Sequence, residues 1–330
     1  MQFGRGKPAP GAFFDSDFES VDTLLAVSLL HALQGKGECR VAIVTVSRNS
    51  LKVAGFVDMV ERFYRGPAAV FAQVPPPGMI TKGEAGTISP GLTEPFTKKK
   101  ADGSPLFVNK VERVLDTGDP STLIRNYLQA QYEKSSYFVL AGRATNLAAA
   151  LAFKGVLDLV KERSSHLVIA GVDSFSSDPA AARKVLAEWP MPISFVPGSV
   201  GKSILFPASA VEKEFHANSP DHPVAAAYTA WQKMPYDAPT TAMAAALYAA
   251  RPKEPFFKTE TGTVTIGADG KVSFSASGSG KHTQVSIDPS QKDKALAAYV
   301  ELATAKVVPP QRRGPPPAAA ADPVKLPPKP

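Results

Sequence analysis

One cysteine, two tryptophans and five histidines among 330 residues leave this chain short of several kinds of chemistry. A single thiol, Cys39, excludes an internal disulfide. Inside the apolar run CRVAIVTV it reads as a buried strand residue. The histidines, at 31, 166, 216, 222 and 282, show no metal-ligand spacing. Only His216 and His222, in EFHANSPDHP, lie close together, and they read as surface or capping residues. Trp189 and Trp231 read as packing residues. No apolar run is long enough to span a bilayer, so no membrane partner is expected. The opening MQFGRGKPAPGAFF has basic residues but no apolar core, so no signal peptide is expected. The compartment stays open on these grounds. A soluble cytoplasmic protein is the default, and an exported one follows if a leader was trimmed.

An even spread of charge is also missing. The net charge is +7, but Lys306, Arg312, Arg313, Lys325 and Lys329 face only Asp322 in the last stretch of chain. The body therefore carries a small excess, and no nucleic-acid partner is expected. PGSVGKS, residues 197–203, lacks the first glycine of a phosphate-binding P-loop, because Val196 occupies that position.

What the chain does have is ordinary globular composition, 44% apolar and 20% charged, in an alternating pattern. Strand-like runs (GAFFDSD, CRVAIVTV, SSYFVLAG, HLVIAGV, MPISFVP) alternate with helical periods (DTLLAVSLLHALQ, LKVAGFVDMVERFYRG, DPSTLIRNYLQAQ, ATNLAAALAF, DPAAARKVLAEW). This predicts an α/β fold with a doubly wound, mostly parallel sheet and helices on both faces. Residues 67–115, rich in Pro, Gly and Lys, read as loops and short pieces. Later come two helical periods, VAAAYTAWQKM and TTAMAAALYAARP, a β-hairpin around GADGK, and a last helix, PSQKDKALAAYVELATAK. The expected division is a flexible N-terminus over 1–12, one large domain over 13–306, and a Pro-rich disordered tail over 307–330.

The densest chemistry lies in FFDSDFESVDTLLAVSLL, where Asp15, Asp17, Glu19 and Asp22 fall within eight positions. Carboxylates that close repel, and a hard divalent cation bound through oxygen would compensate. Without a cation, Asp22 reads as a helix N-cap and the other acids as solvated. The end of a strand in such a sheet is where ligands bind.

The stretch resembles the signature of the inosine–uridine nucleoside hydrolase family, D-x-D-x-G-x-x-D-D-A followed by an apolar helix. VLAGRATNLAAAL, DPAAARKVLAEWPMPISFVP and YDAPTTAMAAALYAARP are similar to later segments of that family, in the same order, over residues 13 to about 305. The resemblance implies calcium-assisted hydrolysis of the N-glycosidic bond of a ribonucleoside, with a carboxylate drawing a proton from water. It implies Asp15, Asp17, Asp22 and the Ala141 carbonyl as metal ligands, and Asp17 as the base. It assigns Asp22, Asn49 (with Ser50 beside it) and Asn146 to substrate, and it implies a homo-oligomer.

The departures are as informative. The paired acids become Asp22 and Thr23, and the signature glycine becomes Glu19. A proline becomes Arg143, and the late acid aligns with Ala242 beside Thr241. The sugar-clamping E-F-N segment becomes GVDSFSSD, residues 171–178. Glu19, Asp173 and Asp237 are the candidate replacements. The competing expectation is a non-catalytic relative whose pocket binds another ligand or a protein partner.

Overall fold

A computed structural model describes residues 8–66, 76–267 and 270–308, apart from the side chains of Asp173 and Ser174. The expected tail over 307–330 therefore falls almost wholly outside the described residues, as do most of the first ten.

The first half alternates as expected. β1 (Gly11–Ser16), α1 (Val21–Gly35), β2 (Arg40–Val46) and α2 (Leu51–Arg65) lead to the two-residue β3 (Gly78–Met79). Then come α3 (Pro120–Gln129), β4 (Ser136–Ala141), α4 (Thr145–Leu151), α5 (Val156–Arg163), β5 (Ser164–Ala170), α6 (Pro179–Glu188) and β6 (Ile193–Val196). β1 begins at Gly11, two residues before the expected domain boundary. α2 starts at a Ser50 cap that accepts from the Val53 amide, and α3 at an Asp119 cap followed by proline.

The second half is more irregular. α7 (Gly198–Ser203), β7 (Leu205–Phe206) and α8 (Ala208–Ala210) precede a π-helical turn over Val211–Phe215 and α9 (His216–Asn218). α10 (Pro223–Trp231), β8 (Ala238–Pro239) and α11 (Thr241–Ala250) follow. β9 (Phe257–Ile266), β10 (Val272–Ala276), β11 (His282–Ile287) and α12 (Lys292–Ala303) complete the described chain. The expected hairpin, β9 with β10, is antiparallel, and it does not stand apart. β9 also pairs with β11, and β11 runs parallel to β6, so the hairpin extends the main sheet.

The nine-stranded sheet has the order β10-β9-β11-β6-β5-β4-β1-β2-β3. β3 through β6 are all parallel to their neighbours. The chain winds outward from β1 through β2 to β3, then crosses back to β4 on the other side of β1. That reversal leaves a crevice at the carboxyl ends of β1 and β4, the place where such sheets bind ligands.

Alternation along β1 separates two apolar layers. Phe14 packs with α1, α2, α11 and α12, whereas Phe13 packs with α3 to α6. Cys39 is buried, and its thiol donates to the Leu30 carbonyl. Trp189 packs edge-on against Phe138, as a packing residue would. His222 does cap α10, through an Nδ1 that accepts from the Val224 amide, but it is fully buried rather than on the surface. Among the described residues no helix is long and apolar enough to cross a membrane.

Candidate active site

The acid turn is built by Ser16, the last residue of β1. Its hydroxyl donates to the Ala141 carbonyl at 2.9 Å and accepts from the Phe18 amide at 2.9 Å. Phe18 is buried with φ +54°, a left-handed conformation that bulky side chains rarely adopt. The bend presents Asp17 and Glu19 at the strand end, and the Glu19 amide donates to Asp17 Oδ1 at 3.1 Å. Gly142, just past β4, makes room for this turn. A Cβ there would stand 2.4 Å from the Asp17 amide nitrogen.

Three carboxylates are buried at this corner, each 3–4% exposed. Asp15 Oδ2 accepts from the Thr45 hydroxyl on β2 and from Asn146 Nδ2 on α4 at 2.6 Å. Its Oδ1 has no partner. Burial pushes the Asp15 carboxyl up to about 7, against the pull of those two hydrogen bonds. Asp17 Oδ2 likewise has no partner. Burial, followed by the charge of Glu19, raises Asp17 to about 6, while Arg143 and Arg48 pull it down. Asp22 sits in the first turn of α1, not at its cap, and its Oδ2 accepts from the Ala242 amide at 2.7 Å. Burial raises its pKa as well.

A cleft of about 470 Å³ opens in front of the turn. Asp17, Asp22 and Ala141 line it. Asp15 and Asn146 lie one layer beneath, tied to each other. Asn49 is not among the lining residues. Its amide donates to the Thr81 and Gly83 carbonyls at 3.2 and 3.3 Å, so it holds a loop in place. Ser50 caps a helix. Of the candidate replacements, Glu19 lines the cleft, but it pairs with Arg143 at 2.9 Å. Asp237 Oδ1 accepts from the Ala208 amide at 2.8 Å and so serves α8. The Asp173 side chain lies outside the described residues.

Two residues here carry roles that the sequence did not single out. Arg48 is 1% exposed and donates to the carbonyls of Ala85, Thr87 and Asp17. It clamps residues 85–87 against the acid turn and brings a positive charge beside Asp17. Its only signal was a basic residue in SRNS at the end of a strand, with nothing to say that it turns inward. Lys202 also lines the cleft. In the sequence it belonged to the failed P-loop pattern.

Calcium takes about six to eight oxygen ligands. Asp15 Oδ1 and Asp17 Oδ2 are buried carboxylate oxygens without partners. The Ala141 carbonyl already accepts from Ser16, Asp22 Oδ2 from Ala242, and the Thr23 hydroxyl donates to the Ser20 carbonyl at 2.6 Å. Among the described residues no group of three His, Cys, Asp or Glu side chains is placed to hold a metal. This donor set does not fit a calcium cage.

No protein-family model matches the sequence, and neither does any curated protein. Solved structures do match. A plant nucleoside hydrolase, the PpNRh1 enzyme, superposes with a TM-score of 0.65 at 16% identity, covering 90% of this chain and 100% of that one. A purine-preferring ribonucleoside hydrolase from Gardnerella vaginalis gives 0.62 at 16% identity, covering 89% and 99%. The type III effector protein XopQ, solved in complex with adenosine diphosphate ribose, gives 0.60 at 14%, covering 92% and 95%. The chain has the nucleoside-hydrolase fold. At such identity the likeness establishes the fold alone.

Proposed function

We propose that the protein binds a ribosyl compound, a nucleoside or a related ligand, in the cleft at the ends of β1 and β4, and that it does so without calcium-assisted hydrolysis. The observation that carries this reading is Asp17 Oδ2, which is buried, lines the cleft and has no partner. A buried carboxylate oxygen left unpaired is costly, and a ligand hydroxyl would satisfy it. The vicinal hydroxyls of ribose are donors of this kind. The ligand in the XopQ complex, adenosine diphosphate ribose, supports the same class. The absence of hydrolysis rests on the donor count: calcium takes about six to eight oxygens, and in the implied cage only Asp15 Oδ1 and Asp17 Oδ2 are buried side-chain oxygens without a partner among the described residues. Arg48 and Arg143 also bring positive charge toward Asp17, where the resemblance implies a metal ion.

A second reading is hydrolysis of the N-glycosidic bond, with Asp17 as the base. It is favoured by the pair of unpartnered oxygens on Asp15 and Asp17 and by the Asp17 pKa near 6, which leaves that carboxylate ionised at neutral pH. One experiment separates the two readings. Calorimetric binding and sugar release are measured on a panel of purine and pyrimidine nucleosides, with calcium and with chelator. The proposal expects binding without turnover in either condition. Chelator-sensitive sugar release would replace it with the hydrolytic reading.

A further inference from the structure

We propose that Arg48 and Arg143 supply, from within the chain, the positive charge that a divalent cation would bring to the acid turn, and that they keep such a cation out. This rests on the metal-free part of the reading above and gives that part a cause besides the donor count.

The topology delivers both arginines to the same corner. Arg48 lies two residues beyond the end of β2, and Arg143 two residues beyond the end of β4. Those strands are the two neighbours of β1, so the arginines reach the acid turn from its two sides. The Asp17 carboxyl packs against Gly142, where a Cβ would stand 3.1 Å from Oδ2. The next residue is Arg143, and its Nη2 meets Glu19 Oε1 at 2.9 Å. Arg48 Nη1 donates to the Asp17 carbonyl at 3.4 Å. A Cβ on Gly86 would stand 2.9 Å from Arg48 Nη2 and 3.8 Å from Glu19 Oε1, so both guanidiniums stand near the Glu19 carboxylate. The four charges act on one another. Arg143 and Arg48 draw the Asp17 carboxyl down against its burial. Burial lowers the Arg48 pKa, and Glu19 and then Asp17 oppose it.

Two carboxylates set against two guanidiniums leave little net charge for a metal to answer. Calcium affinity follows the charge of the ligands, and here that charge is cancelled. A guanidinium keeps its proton at any ordinary pH, so neither arginine yields by becoming neutral. A doubly charged ion brought to Asp17 would face both of them where burial weakens screening by salt. Glu19 and Arg143 stand where the resemblance implies a glycine and a proline, and these two departures are each other's partner. A shortage of oxygen donors alone would leave calcium affinity unchanged when an arginine is removed. Charge cancellation requires that affinity to rise.

The test titrates calcium alone into the full chain by calorimetry, with no sugar present. Arg143→Gln should bind calcium at least about tenfold more tightly than the wild type, and Arg143→Lys, which keeps the charge, should stay within about twofold of it. Arg143→Met keeps the length of the side chain without its charge, and it should behave as Arg143→Gln does. Melting temperatures of all three variants show that each is folded. No gain in either neutral variant would overturn the proposal and leave the donor count as the only barrier. An equal gain in Arg143→Lys would also overturn it, because space rather than charge would then decide. Micromolar calcium binding by the wild type would overturn it together with the metal-free reading. The ribosyl reading fails separately, when no nucleoside binds.

Discussion

Two buried polar clusters in this molecule solve the same problem in opposite ways. The first is the acid turn, where Asp15 and Asp17 each keep one oxygen without a partner and both carboxyls are pushed up by burial. The second lies among α1, α2 and α10. There His31 meets Glu61 at 3.1 Å and stacks on Tyr64, whose hydroxyl lies 2.9 Å from His222 Nε2. His222 Nδ1 accepts from the Val224 amide. Glu61 is held below the usual carboxylate range although it is buried, because His31 and then Arg65 offset its desolvation. This cluster compensates its carboxylate within the chain, and the polar atoms it leaves without a partner, among them His31 Nδ1, are not carboxylate oxygens. The acid turn leaves two buried carboxylate oxygens without a partner, and the proposed ligand reading rests on them.

The largest effect should come from unbalancing the closed cluster. Glu61→Leu leaves His31 buried beside an apolar side chain. Losing the partner of a buried His31 nitrogen costs about 2 kcal/mol, which is several degrees in the melting temperature of a chain this size. Thermal unfolding of the two proteins at pH 7 checks it. A loss below about 1 kcal/mol would mean that the closed cluster is no better compensated than the open one, and the contrast would collapse.

The next effect sets the two clusters against each other through pH. Asp17 has a folded pKa of about 6, above the ordinary value of 3.8. Its stabilising contribution is therefore complete below about pH 4 and is lost as pH rises through about 6. His222 behaves in the opposite sense. Burial, then the nearby His31, lowers it from 6.5 to about 3, so its contribution is present above about pH 6.5 and is lost as pH falls toward 3. Acid relieves the open cluster and strains the closed one. Asp17→Asn should therefore gain on the wild type by about 2 kcal/mol between pH 4 and pH 7, read from melting temperatures across that window. A constant difference over the window would show that Asp17 is already compensated in solution.

These contrasts mark what could be read from the chain and what could not. Local periodicity carried the alternating strands and helices of the first half, and the run of acids announced its strand end. The resemblance then placed Asp17, Asp22 and Ala141, and the cleft contains all three. α5 went unread because VLDLVKER follows a glycine-bearing turn closely and its eight residues give little periodicity. The joining of β11 to β6 depends on residues about ninety positions apart, which no window along the chain can see. The same limit hid the cations. Arg48 reaches the carbonyls of 85–87 and Arg143 reaches Glu19 only because loops distant in sequence meet over β1. Asn49 was misplaced for a related reason. A polar residue after a strand can face the cleft or brace the next loop, and the direction is set by the Thr81 and Gly83 carbonyls that receive it.

The smallest effect belongs to charges that need no compensation at all. Lys36, at the end of α1, reaches Glu301 on α12 at 2.6 Å, yet the two side chains are 42% and 66% exposed. Water solvates both ions well, and holding two long side chains in one geometry costs entropy that cancels much of the attraction. Lys36→Ala should shift stability by no more than about 0.5 kcal/mol, and less in high salt. The value of the measurement lies in its scale. If this exposed pair were worth as much as the buried His31–Glu61 pair, charge pairing rather than burial would govern stability here. The unpartnered oxygens of Asp15 and Asp17 would then lose their meaning as a sign of a missing ligand. A near-silent Lys36→Ala ties the penalty at the acid turn to desolvation, and desolvation is the cost that a bound hydroxyl would relieve.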